Sequence, residues 1–245
     1  MTTATEVETA ATQLAGKSPQ EVISWALEKF HPQISLASSF GAEDVVLIDM
    51  LAKIRPDARV FTLDTGRLPT QTYDVIEAVQ RKYPQLQLQI MFPDTQAVQE
   101  MVRSQGINLF YESIENRKKC CYVRKVEPLN RALSGLDAWF TGLRRDQTAN
   151  RADMQVVEMD SDRGIAKINP LIDWSEAQVW KYIRQNFVPY NSLHDQNYPS
   201  IGCAPCTRAV KPGEDPRAGR WWWEQGGQEC GLHVSAKEDL AVAKS

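Results

Sequence analysis

Four cysteines in two short motifs are the residues of this sequence whose types and spacing most directly indicate chemistry. Cys120 and Cys121 are adjacent within the cationic run KKCCYVRK, and Cys203 and Cys206 form the motif CAPC. A disulfide between adjacent cysteines must close a small, strained ring, and nearby cations hold a thiol in its reactive thiolate form. Four thiolates from two short segments can instead enclose one soft metal centre.

The spacing of the two pairs bears on which metal centre they would hold. A C-x-x-C pair is usual for both zinc and iron–sulfur clusters, but paired zinc ligands normally have two to four residues between them. A cubane cluster presents several irons, so adjacent cysteines can reach different corners. The pattern therefore favours a cluster over zinc. The other alternative is that Cys120 and Cys121 are buried thiols without a metal.

A fifth cysteine, Cys230, lies in the motif ECGLH, three residues before His233. A lone accessible thiol with a nearby histidine fits a nucleophile. Glu229 by itself disfavours the thiolate, so activation requires cations from elsewhere in the chain. The alternative is an inert surface cysteine.

Cations lie beside the cysteines and at predicted loop ends, where arginine forks suit sulfate and phosphate oxygens. As isolated features such charge runs are usually solvated faces. The candidates are Arg117, Lys118, Lys119, Arg124 and Lys125 near the cysteine pair, Arg144, Arg145 and Arg151 in GLRRDQTANR, and Arg217 and Arg220 in DPRAGR. The three consecutive side chains of Trp221–Trp223 cannot all point in the same direction. We favour packing over ligand contact for them and leave their role open.

Composition limits the class of protein. The chain has 245 residues, 42% of them apolar, which is enough for one large α/β domain or a domain with a tail. A net charge of −3 creates no general attraction for nucleic acid. No secretory pattern begins the sequence and no apolar run reaches the roughly 18 residues of a membrane span. We expect a cytoplasmic protein whose cysteines serve metal binding or catalysis.

Strand-like and helix-like segments alternate along the first half of the chain, which predicts an α/β fold with a mainly parallel sheet flanked by helices. Strands are expected in ISLASSF, RVFTL, QLQLQIMFP, AWF, MQVVEMD and IAKINPL, and helices in PQEVISWALEKF, GAEDVVLIDMLAKI, from about Thr70, in TQAVQEMVRSQG and in WSEAQVWKYIRQN. Capping boxes are expected for Ser18 with Glu21 and for Ser175 with Gln178.

Two small-residue loops follow predicted strands, SSFGAED (38–44) and LDTGR (63–67). In open α/β sheets ligands bind beyond the carboxyl ends of the strands, and a helix N-terminus binds anions. Neither loop is specific alone, because short serine and glycine loops open many ordinary helices.

Taken together, KKCC, CAPC, ECGLH, SSFGAEDVVLIDM, LDTGRLPTQTYD and TGLRRDQ resemble the thioredoxin-dependent assimilatory adenylyl-sulfate (APS) reductases, from about residue 30 to His233. This resemblance implies an ATP-pyrophosphatase-like (adenine nucleotide alpha hydrolase-like) fold and the reduction of APS to sulfite and AMP. Thioredoxin would be the reductant, in sulfate assimilation and cysteine biosynthesis. We expect residues 1–208 to form the nucleotide-binding and iron–sulfur domain, with a loose segment 1–17, and residues 209–245 to form a mobile tail.

The resemblance also implies roles for individual residues. Cys120, Cys121, Cys203 and Cys206 would ligate one [4Fe–4S] cluster per chain, and Cys230 would be the nucleophile. Catalytic roles are implied for Lys125, His233, Arg217 and Arg220. Substrate-binding roles are implied for Ser38, Ser39, Phe40, Gly41, Leu63, Thr65, Gly66, Gly142, Arg144, Arg145 and Arg151.

Three other functions remain open from the sequence. The nearest is a reductase of the 3′-phosphorylated substrate (PAPS), although the resemblance implies that such relatives generally lack both cysteine pairs. The second is an ATP-dependent enzyme that inserts sulfur into tRNA, which the acidic balance of the chain disfavours. The third is a zinc-stabilised nucleotide-binding module. The oligomeric state is left open, with a homo-oligomer among the options.

Overall fold

The computed structural model describes residues 3–148 and 151–224, and this part of the chain divides into two compact units. The first unit comprises residues 3–62, 74–89, 135–148 and 151–191. The second unit comprises residues 63–73, 90–134 and 192–224. The segment expected to be a tail is described as far as Glu224, and its described part belongs to the second unit.

A six-stranded sheet in the order β3-β2-β1-β4-β6-β5 confirms the predicted α/β class. β1 pairs in parallel with β2 and with β4, β4 pairs in parallel with β6, and β5 pairs antiparallel with β6 at one edge. The strands are β1 (Ile34–Ala37), β2 (Arg59–Leu63), β3 (Gln87–Met91), β4 (Ala138–Phe140), β5 (Val157–Asp160) and β6 (Ile165–Ile168).

The predicted helices are also present, and both expected capping boxes start their helices. Ser18 accepts a hydrogen bond from the backbone N of Glu21 at 3.3 Å, which satisfies a donor that has no partner within the helix. The helices are α1 (Ala4–Leu14), α2 (Pro19–Phe30), α3 (Ala42–Ile54), α4 (Thr70–Lys82), α5 (Thr95–Gln105), α6 (Ile114–Cys121), α7 (Glu127–Leu133) and α8 (Glu176–Gln185). None of the described helices is long and apolar enough to cross a membrane.

The expectation of a loose segment over residues 1–17 is wrong where the structure describes it, because α1 occupies most of that segment. Thr3 accepts from the backbone N of Glu6 at 3.3 Å, and Glu6 accepts from the backbone N of Thr3 at 2.8 Å. Val7, Ala10 and Leu14 are buried and follow the spacing of one helix face. The polar composition of this segment conceals that narrow apolar stripe.

The segment 114–133 was not predicted as regular structure, yet it is almost entirely helical. α6 leads into a π-helical segment, Tyr122–Val126, which leads into α7. The sequence NRKKCC has no apolar stripe, so hydrophobic periodicity could not identify α6. A π-helical turn inside a longer helix frequently marks a functional site.

β1 and β4 lie in the centre of the sheet, and their side chains are buried in the first unit. Leu36 and Ala138 are fully buried, and Phe140 is only 1% exposed. Parallel strands covered on both faces have this continuous apolar character. The loops that follow β1 and β4 therefore start at the ends of buried, well-packed strands.

Candidate functional site

The loop after β1 is held by its own polar groups within the first unit. The backbone N and the Oγ of Ser39 both donate to Oδ2 of Asp44, at 2.6 and 2.8 Å. The backbone N of Phe40 donates to Oγ of Ser38 at 3.1 Å. Phe40 has a φ of 59° and is fully buried, so a conformation that is uncommon for a bulky residue is stabilised by packing. The loop presents its backbone at the start of α3.

Asp44 is a buried carboxylate at this loop that the sequence analysis did not single out. Its pKa is raised to about 6, mainly by burial and to a smaller extent by the nearby Glu43, while the hydrogen bonds from Ser39 act in the opposite direction. At pH 7 the ionised form predominates, and it is the form that accepts both bonds from Ser39. Asp44 therefore acts as an internal anchor for the loop.

Gly142 follows β4 and lies directly against Asp44 in the first unit. A Cβ atom built at this position would overlap the Asp44 carboxylate and would lie 3.0 Å from Cβ of Glu43. The absence of a side chain at Gly142 allows the two loops to approach each other. The resemblance implied that Gly142 binds substrate. The structure adds a steric reason why this position is occupied by glycine.

We expect Gly142→Ala to lower the free energy of unfolding by about 1–3 kcal/mol, since overpacking a tight contact costs about that much. Urea denaturation measures the change. Gly41→Ala is the matched control in the neighbouring loop, because its added Cβ would meet only Oγ of Ser39 at an ordinary 3.5 Å. Equal stability of Gly142→Ala and the unmodified chain would contradict the steric assignment.

Three predicted substrate arginines lie in the first unit and have partners within it. Nε of Arg144 donates to Oε1 of Glu43 at 2.8 Å, and its guanidinium also pairs with Asp146. Arg145 donates through Nε to the carbonyl O of Met154 at 2.8 Å and pairs with Asp173, and Arg151 bonds to Gln147. Their role toward a substrate remains a prediction.

The second unit brings all four predicted metal-ligating cysteines to one cavity. Cys120 and Cys121 end α6, and since successive helical residues are about 100° apart, their thiols leave the helix in different directions. A 3₁₀ turn, Ala204–Cys206, carries the other pair, with the backbone N of Cys206 donating to O of Cys203 at 2.9 Å. No disulfide joins these four cysteines.

Apolar packing surrounds the buried pair. Cys203 and Cys206 are 9% and 7% exposed and belong to a cluster with Met101, Leu109, Phe110 and Trp221. Burial raises the pKa of the Cys206 thiol to about 12, with a smaller contribution from Cys203, and burial likewise raises the pKa of Cys120. The raised pKa values favour the protonated forms of Cys206 and Cys120 in the absence of a metal, whereas a bound metal deprotonates its thiol ligands outright.

The donor set fits an iron–sulfur cluster. Among residues 3–148 and 151–224, no three His, Cys, Asp or Glu side chains converge closely enough to hold a single metal ion. A cubane cluster spreads four irons over its corners, so its four thiolates need not converge on one point. The four cysteines line one cavity, and thiolates are the ligand type that such a cluster takes.

Cationic side chains line the same cavity. They are Arg67, Arg117, Arg124, Lys125 and Arg220. The sequence analysis noted all of them except Arg67, whose contribution no local signal indicated. The π-helical segment carries Arg124 and Lys125, so the irregular turn is what places two cations beside the cysteines that precede it.

The predicted loop 63–67 is tied to the cysteine cavity within the second unit. Nη1 of Arg124 donates to the carbonyl O of Thr65 at 2.7 Å, and Oγ1 of Thr65 lies 3.2 Å from Sγ of Cys203. Gly66 adopts a φ of 70°, which glycine tolerates without steric strain. Residues assigned separately to a nucleotide site and to a metal site are thus in direct contact.

The C-terminal part of the described chain also reaches this cavity. Arg220 is 6% exposed, donates through Nη1 to Oγ of Ser200 at 3.2 Å and packs closely on Gly202. Trp221 is buried, whereas Trp222 is 40% exposed, so the tryptophan run does not face one way, as predicted. The backbone N of Arg217 donates to Oδ1 of Asp215 at 2.7 Å. Cys230 and His233 lie outside the described residues.

The phosphoadenosine phosphosulfate reductase domain model matches residues 33–209, which include the loops after β1, β2 and β4 and all four cysteines of the cavity. The chain belongs to the PAPS/APS reductase family. It is therefore an oxidoreductase acting on a sulfur group. This finding confirms the family that the sequence motifs indicated.

Similar proteins agree with this family and fold. A protein named adenosine 5′-phosphosulfate reductase from Allochromatium vinosum is 53% identical over 201 residues, covering 82% of this chain and 78% of that protein. The crystal structure of PAPS reductase from Candida auris has 34% identity and a TM-score of 0.74, and the match covers 86% of this chain and 98% of that one. FMN adenylyltransferase from Candida glabrata has a TM-score of 0.55 at 15% identity, over 98% of this chain and 83% of that one, which shows a similar fold alone.

Proposed function

We propose that this chain of the PAPS/APS reductase family reduces APS to sulfite and AMP in the cytoplasm, with thioredoxin as the reductant, in sulfate assimilation and cysteine biosynthesis. The observation that carries the proposal is the cavity of the second unit, where four cysteines meet five cationic side chains. Its relatives named APS reductases support the choice of substrate, including one that is 53% identical.

In the first unit, the start of α3 offers the contacts expected for a nucleotide. The first N–H groups of a helix have no partner within it and favour anions, and Ser38, Ser39, Phe40 and Gly41 bring backbone to that point. The loop after β4 adds Gly142 and the arginines discussed above. In the second unit, Leu63, Thr65 and Gly66 are the proposed nucleotide contacts.

The proposed reaction has two covalent steps. The Cys230 thiolate attacks the sulfur of APS, an S–S bond forms, the bond from sulfur to the phosphate oxygen breaks, and AMP leaves with that electron pair. A thioredoxin thiolate then attacks Sγ of Cys230, which releases sulfite and forms a mixed disulfide. The second thioredoxin thiol resolves this disulfide, so thioredoxin is oxidised by two electrons and Cys230 is regenerated as a thiolate.

Electrostatic repulsion is the main obstacle to the first step. A thiolate must approach a sulfonate, and two unit charges about 4 Å apart repel by roughly 4 kcal/mol at an effective dielectric near 20. Fixed cations offset this repulsion and help most where charge develops in the transition state. Lys125, Arg217 and Arg220 are the proposed catalytic cations, and His233 is proposed to assist Cys230.

Cys120, Cys121, Cys203 and Cys206 are the proposed ligands of one [4Fe–4S] cluster per chain. The end of α6 and the Cys203–Cys206 segment would hold the cluster, which would supply charge beside the cations of the cavity. In this chain Arg124 bonds the π-helical segment to the loop 63–67, and Thr65 of that loop contacts Sγ of Cys203, so protein side chains fix a cation relative to the cysteines.

A single-turnover experiment tests the proposal. Purified protein is mixed with APS in the absence of thioredoxin, and the peptide containing Cys230 is examined by mass spectrometry for an added sulfo group. Addition of reduced thioredoxin should remove the group and release one equivalent of sulfite. An unmodified Cys230 under conditions that consume APS would contradict the proposed intermediate.

Competition between APS and PAPS in the same labelling reaction addresses the nearest alternative. The 34% identity to a PAPS reductase is the observation that keeps this alternative open. Preferential labelling by PAPS would replace the proposed substrate. Dependence of labelling on ATP and tRNA, or a colourless zinc protein that forms no adduct, would instead favour the sulfur-insertion enzyme or the zinc-stabilised module.

A further inference from the structure

Asn169 is a fully buried polar residue of the first unit to which the proposed chemistry gives no role. It directly follows β6 and is 0% exposed. Its Oδ1 accepts a hydrogen bond from Oγ1 of Thr141. Its Nδ2 donates to the carbonyl O of Gln155 at 2.8 Å and to Oε2 of Glu158 at 3.2 Å. Because a carbonyl oxygen can only accept, these partners decide which end of the amide faces Thr141.

The loop that Asn169 holds is the one that carries two of the predicted substrate arginines. Thr141 directly follows β4 and precedes Arg144 by three residues. It is 2% exposed, and its backbone N donates to O of Ile168 at 2.9 Å, which extends the pairing of β4 with β6 by one residue. The hydroxyl and the backbone of Thr141 therefore both fix the start of the loop 141–145.

The chain after Asn169 folds back in two consecutive turns, and residues 169–174 are called the turn segment below. The backbone N of Ile172 donates to O of Asn169 at 3.1 Å, in a turn with proline at its second position. The backbone N of Trp174 donates to O of Leu171 at 2.9 Å. Leu171 and Ile172 are buried, so packing holds the turn segment in place.

Both substrate arginines of the loop bond to this turn segment. The backbone N of Arg145 donates to O of Ile172 at 3.0 Å. The guanidinium of Arg145 pairs with Asp173, and Nη1 of Arg144 donates to O of Trp174 at 3.2 Å. The loop and the turn segment therefore meet at the bond from Thr141 and again at both arginines.

We propose that Asn169 is a positioning residue for the substrate arginines. Its bond to Thr141 holds the loop 141–145 against the turn segment, so that Arg144 and Arg145 are oriented before substrate arrives. This inference rests on the proposed function, in which both arginines bind APS. Orienting a long side chain in advance removes part of the entropy cost of binding. A fully satisfied buried polar network also favours one arrangement over others, which suits this role.

Thr141→Val is the decisive variant, because it removes the hydroxyl and keeps both the branched shape of the side chain and the backbone bond to Ile168. We expect APS to bind about three- to tenfold more weakly in equilibrium titrations, since one hydrogen bond corresponds to about this factor. The rate of APS consumption at saturating APS should change less than about twofold, because the arginines are assigned to binding. Thr141→Ser keeps the hydroxyl and should restore most of the affinity.

Tyr83→Phe is the matched control. It also removes one hydroxyl that donates to a buried carboxylate of the first unit, Oδ1 of Asp49 at 2.7 Å. That bond joins α4 to α3, whereas the substrate arginines follow β4. Tyr83→Phe should lower stability toward urea and leave APS affinity unchanged. Unchanged affinity in Thr141→Val would overturn the proposal, as would an equal loss of affinity in Tyr83→Phe. If Thr141→Val does not fold, Thr141→Ala replaces it, since its smaller side chain leaves room for water beside Asn169.

Hydrogen exchange at the backbone N of Arg145 separates this inference from the proposed function, because the measurement needs no substrate. This group donates to O of Ile172, so its exchange rate reports how firmly the loop stays against the turn segment. We expect exchange at least about threefold faster in Thr141→Val and unchanged in Tyr83→Phe. If the unmodified chain binds no APS, the proposed function fails, and the exchange rates alone then confirm or overturn the positioning role.

Discussion

Replacing Cys230 with serine is expected to lower sulfite production from APS by at least about 10³-fold, since loss of a covalent nucleophile removes the first bond-forming step. The hydroxyl of serine is far less nucleophilic than a thiolate near neutral pH. The rate is measured as sulfite released in the presence of reduced thioredoxin. Mass spectrometry of the same variant should find no sulfo adduct after incubation with APS.

The controls for Cys230→Ser separate chemistry from folding. Iron content, visible absorbance and APS affinity should equal those of the unmodified protein, because Cys230 is not one of the four proposed cluster ligands. Substantial sulfite production by this variant would show that another group accepts the sulfo group. The proposed covalent mechanism would then be wrong, although membership of the reductase family would stand.

Replacing any one of the cavity cysteines with serine is expected to remove most of the bound iron, from about four irons per chain, together with the brown absorbance near roughly 400 nm. The strongest expectation is for Cys206→Ser. Its thiol is 7% exposed and packed among apolar side chains, where water cannot replace a missing ligand easily. Iron analysis and absorbance spectra measure the result, and sulfite production should fall with the iron.

Cys230→Ser serves as the matched control for this series, because it changes the same residue type at a position that is not a proposed cluster ligand. A colourless unmodified protein with one zinc per chain would replace the predicted cluster by the zinc alternative. Retention of iron by both Cys120→Ser and Cys121→Ser would show that the adjacent pair is not a ligand pair. Either result would leave the cations of the cavity without their proposed partner.

The two predictions address different groups of cysteines and different physical functions. Cys230 is proposed to form and break covalent bonds, whereas the buried cysteines are proposed to hold a cofactor beside fixed cations. The proposed role of the cavity cysteines is consistent with the burial of Cys203 and Cys206. Cys203 and Cys206 lie in an apolar cluster, and burial raises the pKa of the Cys206 thiol to about 12. Such an environment suits ligands rather than nucleophiles.

The order and type of the main elements could be predicted from sequence because their signals are local. The capping box of Ser18 with Glu21 depends on residues three apart, and the alternation of strands and helices depends on periodicity within short windows. α1 and α6 were missed for the same reason. The first has only a narrow apolar stripe, and the second has none, although Ser113 caps it locally.

Both the sequence and the tertiary structure were needed to describe the candidate site. The sequence by itself determined the candidate groups, namely two cysteine pairs, a fifth cysteine in ECGLH and the small-residue loops, because residue type and spacing define what chemistry each motif can perform. Only the tertiary structure decided that Thr65, Arg124 and Cys203 are in contact, that Gly142 must lack a side chain beside Asp44, and that Thr141 bonds to Asn169. These contacts join residues far apart in sequence, and no local pattern encodes a distance that only folding creates.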